Sequence, residues 1–369
     1  MKWCNRLFNK IVPIFCISTA LLLLLLIAAC SSATSEKVKK AGQVKIGYGA
    51  PLLASGQAEI MQGLIKKAEQ KGWTVITTNA DSDSERQANQ IDYFMSMEVD
   101  AIVVVPVDSQ AICAPARKAM SAGIPFYTID RAPVGCQINM TVLSDNFMAG
   151  KQAGEAMIDL LSKRYGNARG TVLELQGDLG TNVAVLRGNG FHSVINKYSE
   201  VEVISKPTEW RAEKFASATV DVVSSKEIDG IYLQSDCVGM SVVISALEQL
   251  GKKFPRDDRR HILITSVDGC PEGLKAIREG YADAAANQPL PDFGIIVDWI
   301  EKELKREPIE PGEVVMQGAP WSPAKVTREQ SGWQLLLATT RITPENINDS
   351  SLWGNSHNPE SPTPLKVNP

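Results

Sequence analysis

Histidine is scarce in this sequence: His192, His261 and His357 are the three in 369 residues. None is spaced with the cysteines, and no Cys-x-x-Cys pair occurs, so neither a metal site nor a bound cofactor is expected. Gly-x-Ser-x-Gly, a phosphate-binding loop and a His-Glu motif are also missing, which removes the usual signs of an activated nucleophile, a nucleotide site or a metal-assisted base. Basic residues are not in excess. The 38 Lys and Arg against 42 Asp and Glu leave a net charge of −4, which argues against nucleic acid as a partner. What the chain does have is length and a 44% hydrophobic content, enough for two cores of ordinary size.

The one long apolar run lies at the start. Met1 to Lys10 carries Lys2, Arg6 and Lys10, and Ile11 to Ala29 follows with six consecutive leucines, Leu21 to Leu26. This is the positive-then-apolar order of a secretory signal. The run closes on Ile27-Ala28-Ala29-Cys30, which resembles the lipobox of bacterial lipoproteins, with Cys30 as the residue that receives the lipid (palmitate among its acyl chains). An uncleaved anchor is the competing reading, since about 18 apolar residues nearly span a bilayer. Either way the remaining chain is expected outside the cytoplasm, in the periplasm or at the outer cell surface, held to a membrane. Residues 1–29 are thus read as a signal peptide and residues 30–42 as a lipidated tether.

Seven cysteines are present. Cys4 and Cys16 fall in the signal and Cys30 is the lipid site. Cys113, Cys136, Cys237 and Cys270 remain, an even number in an oxidising compartment, so disulfides are expected, with three pairings open.

From Gln43 onward short β-branched runs alternate with amphipathic stretches, the pattern of a parallel sheet with helices on both faces. Val44 to Tyr48, Val75 to Thr78, Ala101 to Val105 and Pro125 to Asp130 read as strands, and Thr171 to Gln176, Val201 to Ser205, Gly230 to Gln234 and Ile262 to Val267 repeat the plan. Val99 to Asp108 echoes Ile228 to Asp236, and Ile124 to Asp130 echoes Ile262 to Asp268. The expected fold class is α/β, two similar doubly wound parallel-sheet lobes. Ligands of such sheets sit beyond the carboxyl ends of the strands, so the loops after each strand are the place to seek a site.

Those loops carry a resemblance. Ile129-Asp130-Arg131, Ser144-Asp145-Asn146, Leu173 to Gly177, Arg187-Gly188-Asn189-Gly190-Phe191, Gln234-Ser235-Asp236 and Val267 to Gly273 occur in the order and spacing of the periplasmic sugar-binding proteins of the ribose-binding type, over residues 44–326. The resemblance implies type I periplasmic binding protein lobes joined by a three-strand hinge, with crossings near Ser144-Asp145, Gln288-Pro289 and Val314 to Gly318. It implies an N-terminal lobe of residues 43–144 plus 289–315 with a helix over 292–306. The C-terminal lobe is then 145–288 plus 316–330, followed by a C-terminal extension, 331–369, disordered after His357. Carried over, the ligand contacts are Asp130, Arg131, Trp210, Asp268 and Gln288. These side chains suit hydroxyl groups: a carboxylate accepts from two, a guanidinium donates to two, an amide does one of each, and an indole face stacks on a sugar ring.

The chain departs from the ribose-binding pattern in three places. Gly56-Gln57 stands where that type has two phenylalanines, Val185 aligns with a second ligand arginine, and Ser235 with a ligand asparagine. Ser55, Gln57, Asn182, Ser235 and Asp236 are the loop residues placed to supply contacts instead. The same register pairs Cys113 with Cys136 and Cys237 with Cys270, each within one lobe.

The function implied is capture of a small polyhydroxylated ligand, a sugar or related polyol, in the interlobe cleft for the permease of an ABC-type importer. The alternative is a sensory receptor for a furanosyl signal or nucleoside, coupled to chemotaxis or a kinase. A regulator of the lac-repressor kind would need a DNA-binding helix pair where this chain has its signal, and an enzyme would need catalytic motifs it lacks.

Overall fold

A computed structural model of the chain describes residues 44–53 and 56–356. The signal, Cys30, Ser55 and the stretch from His357 lie outside the described residues. No helix among those residues is long and apolar enough to cross a membrane.

Strands β1 (Lys45–Ala50), β2 (Thr74–Asn79), β3 (Ala101–Val104), β4 (Phe126–Ile129) and β5 (Ile138–Ser144) pair in parallel in the order β2-β1-β3-β4-β5. Every residue of β3 and β4 is buried, as central parallel strands covered on both faces must be. Helices α1 (Gly56–Gln70), α2 (Ser84–Ser96) and α3 (Cys113–Ser121) connect them. The second sheet repeats this order as β7-β6-β8-β9-β10, built from β6 (Gly170–Gln176), β7 (Val201–Pro207), β8 (Gly230–Leu233), β9 (Leu263–Asp268) and β10 (Ala284–Asn287). Its helices are α4 (Asn146–Tyr165), α5 (Asn182–Ile195), α6 (Ala212–Ser225), α7 (Asp236–Gln249) and α8 (Pro271–Arg278). Each sheet carries one apolar cluster on either face. The fold class read from the sequence is therefore the observed one.

After β10 the chain returns to the first lobe through a 3-10 turn, Leu290–Ile295, and helix α9 (Ile296–Leu304); the α-helix is shorter than the expected 292–306, whose start is 3-10. From there it departs from expectation. Residues 316–330 do not join the second lobe, because β11 (Gly312–Val314), β12 (Ala324–Glu329) and β13 (Gly332–Leu337) extend the first sheet. β12 and β13 form an antiparallel pair, and β13 pairs in parallel with β5 from Met140 opposite Trp333 to Ser144 opposite Leu337. Burying Leu335 and Leu337 in the first core is what holds the strand there. The third crossing accordingly lies at Ala338-Thr339, not at 314–318. Beyond it β14 (Thr340–Ile342) pairs antiparallel with β10. The stretch from residue 331 therefore supplies a strand to each sheet before a short terminal helix, α10 (Trp353–Ser356).

Candidate functional site

β4 and β9 are equivalent strands of the two lobes; Asp130 directly follows the first and Asp268 closes the second, both with left-handed backbone, at φ 65° and φ 111°. Both line a cavity of about 670 Å³ whose walls come from both lobes, within the size range of small-molecule sites.

On the first-lobe side Gln57, in the first turn of α1, donates from Nε2 to Asp130 Oδ2 at 2.9 Å. Arg131 is 8% exposed and donates from Nη1 to the Pro106 carbonyl at 2.9 Å. Its Nε, 3.8 Å from Asp130 Oδ2, is buried with no hydrogen-bond partner. Burial pulls the guanidinium pKa down, and the Asp130 charge opposes that. Beneath them the Tyr48 hydroxyl is buried without a partner, its pKa pushed far up by burial and by Asp130.

On the second-lobe side Asp268 accepts from Ser235 Oγ at 2.5 Å and pairs with Arg187 Nη2 at 2.9 Å. Burial raises its pKa, and the Arg187 charge opposes the rise. Arg187 also donates from Nε to Asn146 Oδ1 at 2.9 Å and from Nη1 to the Gln234 carbonyl. Trp210 is near one cation of each lobe, with the guanidinium carbons of Arg131 and Arg187 at 6.0 and 5.9 Å from its ring centroid. That is cation–π range. The ring packs so tightly against Gly177 that a β-carbon there would enter it.

Of the residues singled out in the sequence, Gln57, Asp130, Arg131, Trp210, Ser235 and Asp268 line the cavity. Asp236 does not. It is fully buried as the first residue of α7, where its carboxylate accepts from Ser266 Oγ and from the main-chain N–H of Gly269 and Cys270, each at 3.0 Å. Burial and the nearby Asp268 charge hold its pKa well above the usual carboxylate range. Asn182 is turned to the opposite lobe: its Oδ1 accepts from Ala132 N at 3.1 Å and its N–H donates to Ser109 Oγ at 3.0 Å. With the Ser109 N–H donating to the Gly180 carbonyl at 3.1 Å, it forms a latch between the lobes, next in sequence to Arg131 and Val183 of the cavity wall. Gln288, fully buried on the crossing after β10, does not line the cavity, and both of its amide atoms lack a hydrogen-bond partner among the described residues.

Arg187 is the residue the sequence reading missed. The register placed the lost arginine at Val185, but Val185 is 43% exposed. Two positions further along the helix the side chain swings to the opposite face. The signal was present in the spacing of Val183, Ala184, Arg187, Gly190 and Phe191, all on the buried face of α5.

Cys113 is bonded to Cys136, and Cys237 to Cys270, with Cα separations of 5.6 and 5.2 Å. The first holds the loop that follows Arg131. The second joins the starts of α7 and α8, and Cys237 reaches the cavity wall. Asp236, Cys237, Asp268 and Cys270 have ligand atoms within 4.8 Å of one another. The two sulfurs are spent in the disulfide and the Asp236 oxygens on three donors, so this donor set does not suit a metal.

Residues 54–300 match the family model described as the periplasmic binding protein domain. The chain is 29% identical to a xylitol-binding protein of Mycolicibacterium smegmatis over 64% of its own length and 65% of the relative's. It is 27% identical to the ribose import binding protein of Haemophilus influenzae over 68% and 82%. The crystal structure of a galactofuranose binding protein superposes with a TM-score of 0.72 at 23% identity, covering 85% of this chain and 98% of that one. This likeness is one of fold, the type I arrangement of two lobes. By these matches the chain belongs to the periplasmic binding protein family, whose members bind solutes outside the cytoplasm and are not enzymes.

Proposed function

We propose that the chain, tethered by lipid at Cys30, captures a neutral polyhydroxylated molecule, a sugar or polyol, and presents it to an ABC-type importer. The observation that carries this reading is one acid–arginine pair from each lobe, Asp130 with Arg131 and Arg187 with Asp268, facing a single cavity beside the Trp210 ring. Carboxylates accept from vicinal hydroxyls and guanidinium groups donate to them, so each pair serves a diol. The balance of charge within each pair favours a ligand without net charge. Three further acids of the wall keep cations of their own, Glu209 with Lys214, Glu213 with Arg211 and Asp81 with Arg86, while Asp178 accepts from the Gly180 N–H at 2.8 Å. The relatives named for xylitol and ribose support the same ligand class.

Ligand contacts from both lobes favour the closed arrangement, in which the Asn182 latch is made, and a permease that reads the closed surface then receives only loaded protein. Micromolar affinity needs about 8 kcal/mol, within reach of a few charge-assisted hydrogen bonds and one stacked ring. A thermal-shift screen with xylitol, D-ribose, myo-inositol, furanoses and nucleosides tests the reading. A true ligand at a hundredfold excess over its dissociation constant adds about 2.7 kcal/mol of stability, a rise of several degrees. Silence across all of them would refute it.

A further inference from the structure

The segment after β14 packs against the second lobe and ends behind its cleft carboxylate. Ile347 and Leu352 are buried in that lobe's core. Arg278 of α8 donates to Asn348 Oδ1 at 3.1 Å and reaches Asn355, whose own amide donates to the carbonyls of Ile347 and Asp349 at 2.9 and 2.8 Å. This network fixes α10, and α10 delivers Trp353. The indole Nε1 donates to the main-chain carbonyl of Asp268 at 3.2 Å. Gly354 lies against the Gly269 carbonyl so closely that a β-carbon would collide with it. Trp353 also packs on the first-lobe core, so it sits where the lobes meet.

Asp268 needs such support. At φ 111° its backbone is one that L side chains rarely adopt, and conformations of that kind persist where the surroundings over-determine them. In front, Ser235 and Arg187 hold the carboxylate. Behind, the carbonyl takes two donors, the Gln288 N–H at 3.0 Å and the Trp353 indole. The Gln288 bond comes from the neighbouring strand end. The indole comes from the C-terminal segment, and the turn's two other supports, Asp236 and the Cys237–Cys270 disulfide, act one and two residues further on.

We propose that Trp353 is a positioning residue for the cleft: by donating to the Asp268 carbonyl it orients the carboxylate that the second lobe offers to ligand. The C-terminal segment thereby becomes part of the recognition machinery. The inference rests on the cleft being the binding site, as argued above.

Trp353→Phe keeps an aromatic ring and removes the donor. Two readouts on the full chain test it: amide hydrogen exchange at Gly269 and Cys270, and the dissociation constant for xylitol. Exchange at those two amides is expected to quicken about tenfold, with Asp130 and Arg131 in the first lobe unchanged. Xylitol is expected to bind about three- to tenfold more weakly, the range for loss of one hydrogen bond. Wild-type exchange at Gly269 and Cys270, or wild-type affinity in spite of faster exchange, would overturn the proposal. Faster exchange in a chain whose wild type binds none of xylitol, D-ribose and myo-inositol would uphold the brace and sink the sugar-binding reading instead.

Discussion

In the first lobe the acid and the cation of the cleft are neighbours in the chain, Asp130 and Arg131, on one turn after β4. In the second they come from separate elements, Arg187 from the inner face of α5 and Asp268 from the end of β9. Adjacency needs little support: the first turn is held by Gln57, by the Pro106 carbonyl and, further along, by the Cys113–Cys136 bond. Convergence needs more, and the second lobe supplies a direct ion pair, a serine, a disulfide at the cavity wall and a tryptophan from the C-terminal segment. The same chemistry is thus tied loosely to folding in one lobe and tightly in the other.

The contrast can be broken by substitution. Arg187→Ala leaves Asp268 buried without its counter-charge, and breaking a buried pair costs about 3–5 kcal/mol. Arg131→Ala removes a cation whose nearest carboxylate keeps the Gln57 amide, so the loss is expected at about 1–3 kcal/mol. Urea unfolding of both variants checks the difference; equal losses would show that the two lobes are built alike. Next come the disulfides. They close segments of similar length, with sequence separations of 23 and 33, so replacing either pair by alanine is expected to cost a similar 3–4 kcal/mol or so. Affinity should separate them. Cys237 and Cys270 flank Ser235 and Asp268, and their double variant is expected to bind several-fold more weakly, whereas the Cys113/Cys136 variant should stay near wild type. Titration of each pair against the strongest ligand of the thermal screen decides this, and the opposite order would place the rigid wall in the first lobe.

The same contrast explains what could be read from the sequence. Asp130-Arg131 was legible because both residues sit in one phrase at the end of an unmistakable strand. The echo between residues 124–130 and 262–268 placed Asp268 equally well, since β4 and β9 are equivalent strands. Arg187 was hidden because its partner lies elsewhere in the chain, and a helix shifts facing by about 100° per residue, so a register that stopped at Val185 pointed to solvent. Asp236 was misread for a related reason: it follows a strand, yet as the first residue of α7 it turns inward to cap the start of α8. The third crossing, unlike the other two, was obscured by composition. β10 is Ala-Ala-Ala-Asn, whose three alanines are helix formers held as a strand here by β9 and β14 on either side. β12 and β13 meet around Gln330-Ser331 with no Asn-Gly or Asp-Gly signal for a hairpin, and nothing local assigns them to the first sheet.

The central claim is that one ligand is held by both lobes at once. Calorimetric titration of the strongest ligand from the thermal screen into Asp130→Asn and Asp268→Asn tests it most directly. Each substitution keeps the side chain's shape and removes a charged acceptor, so each is expected to weaken binding by roughly ten- to a hundredfold, the scale of one hydrogen bond to a charged group. Wild-type affinity in either variant would mean that the ligand is held by one lobe alone and that the cleft is not closed by recognition.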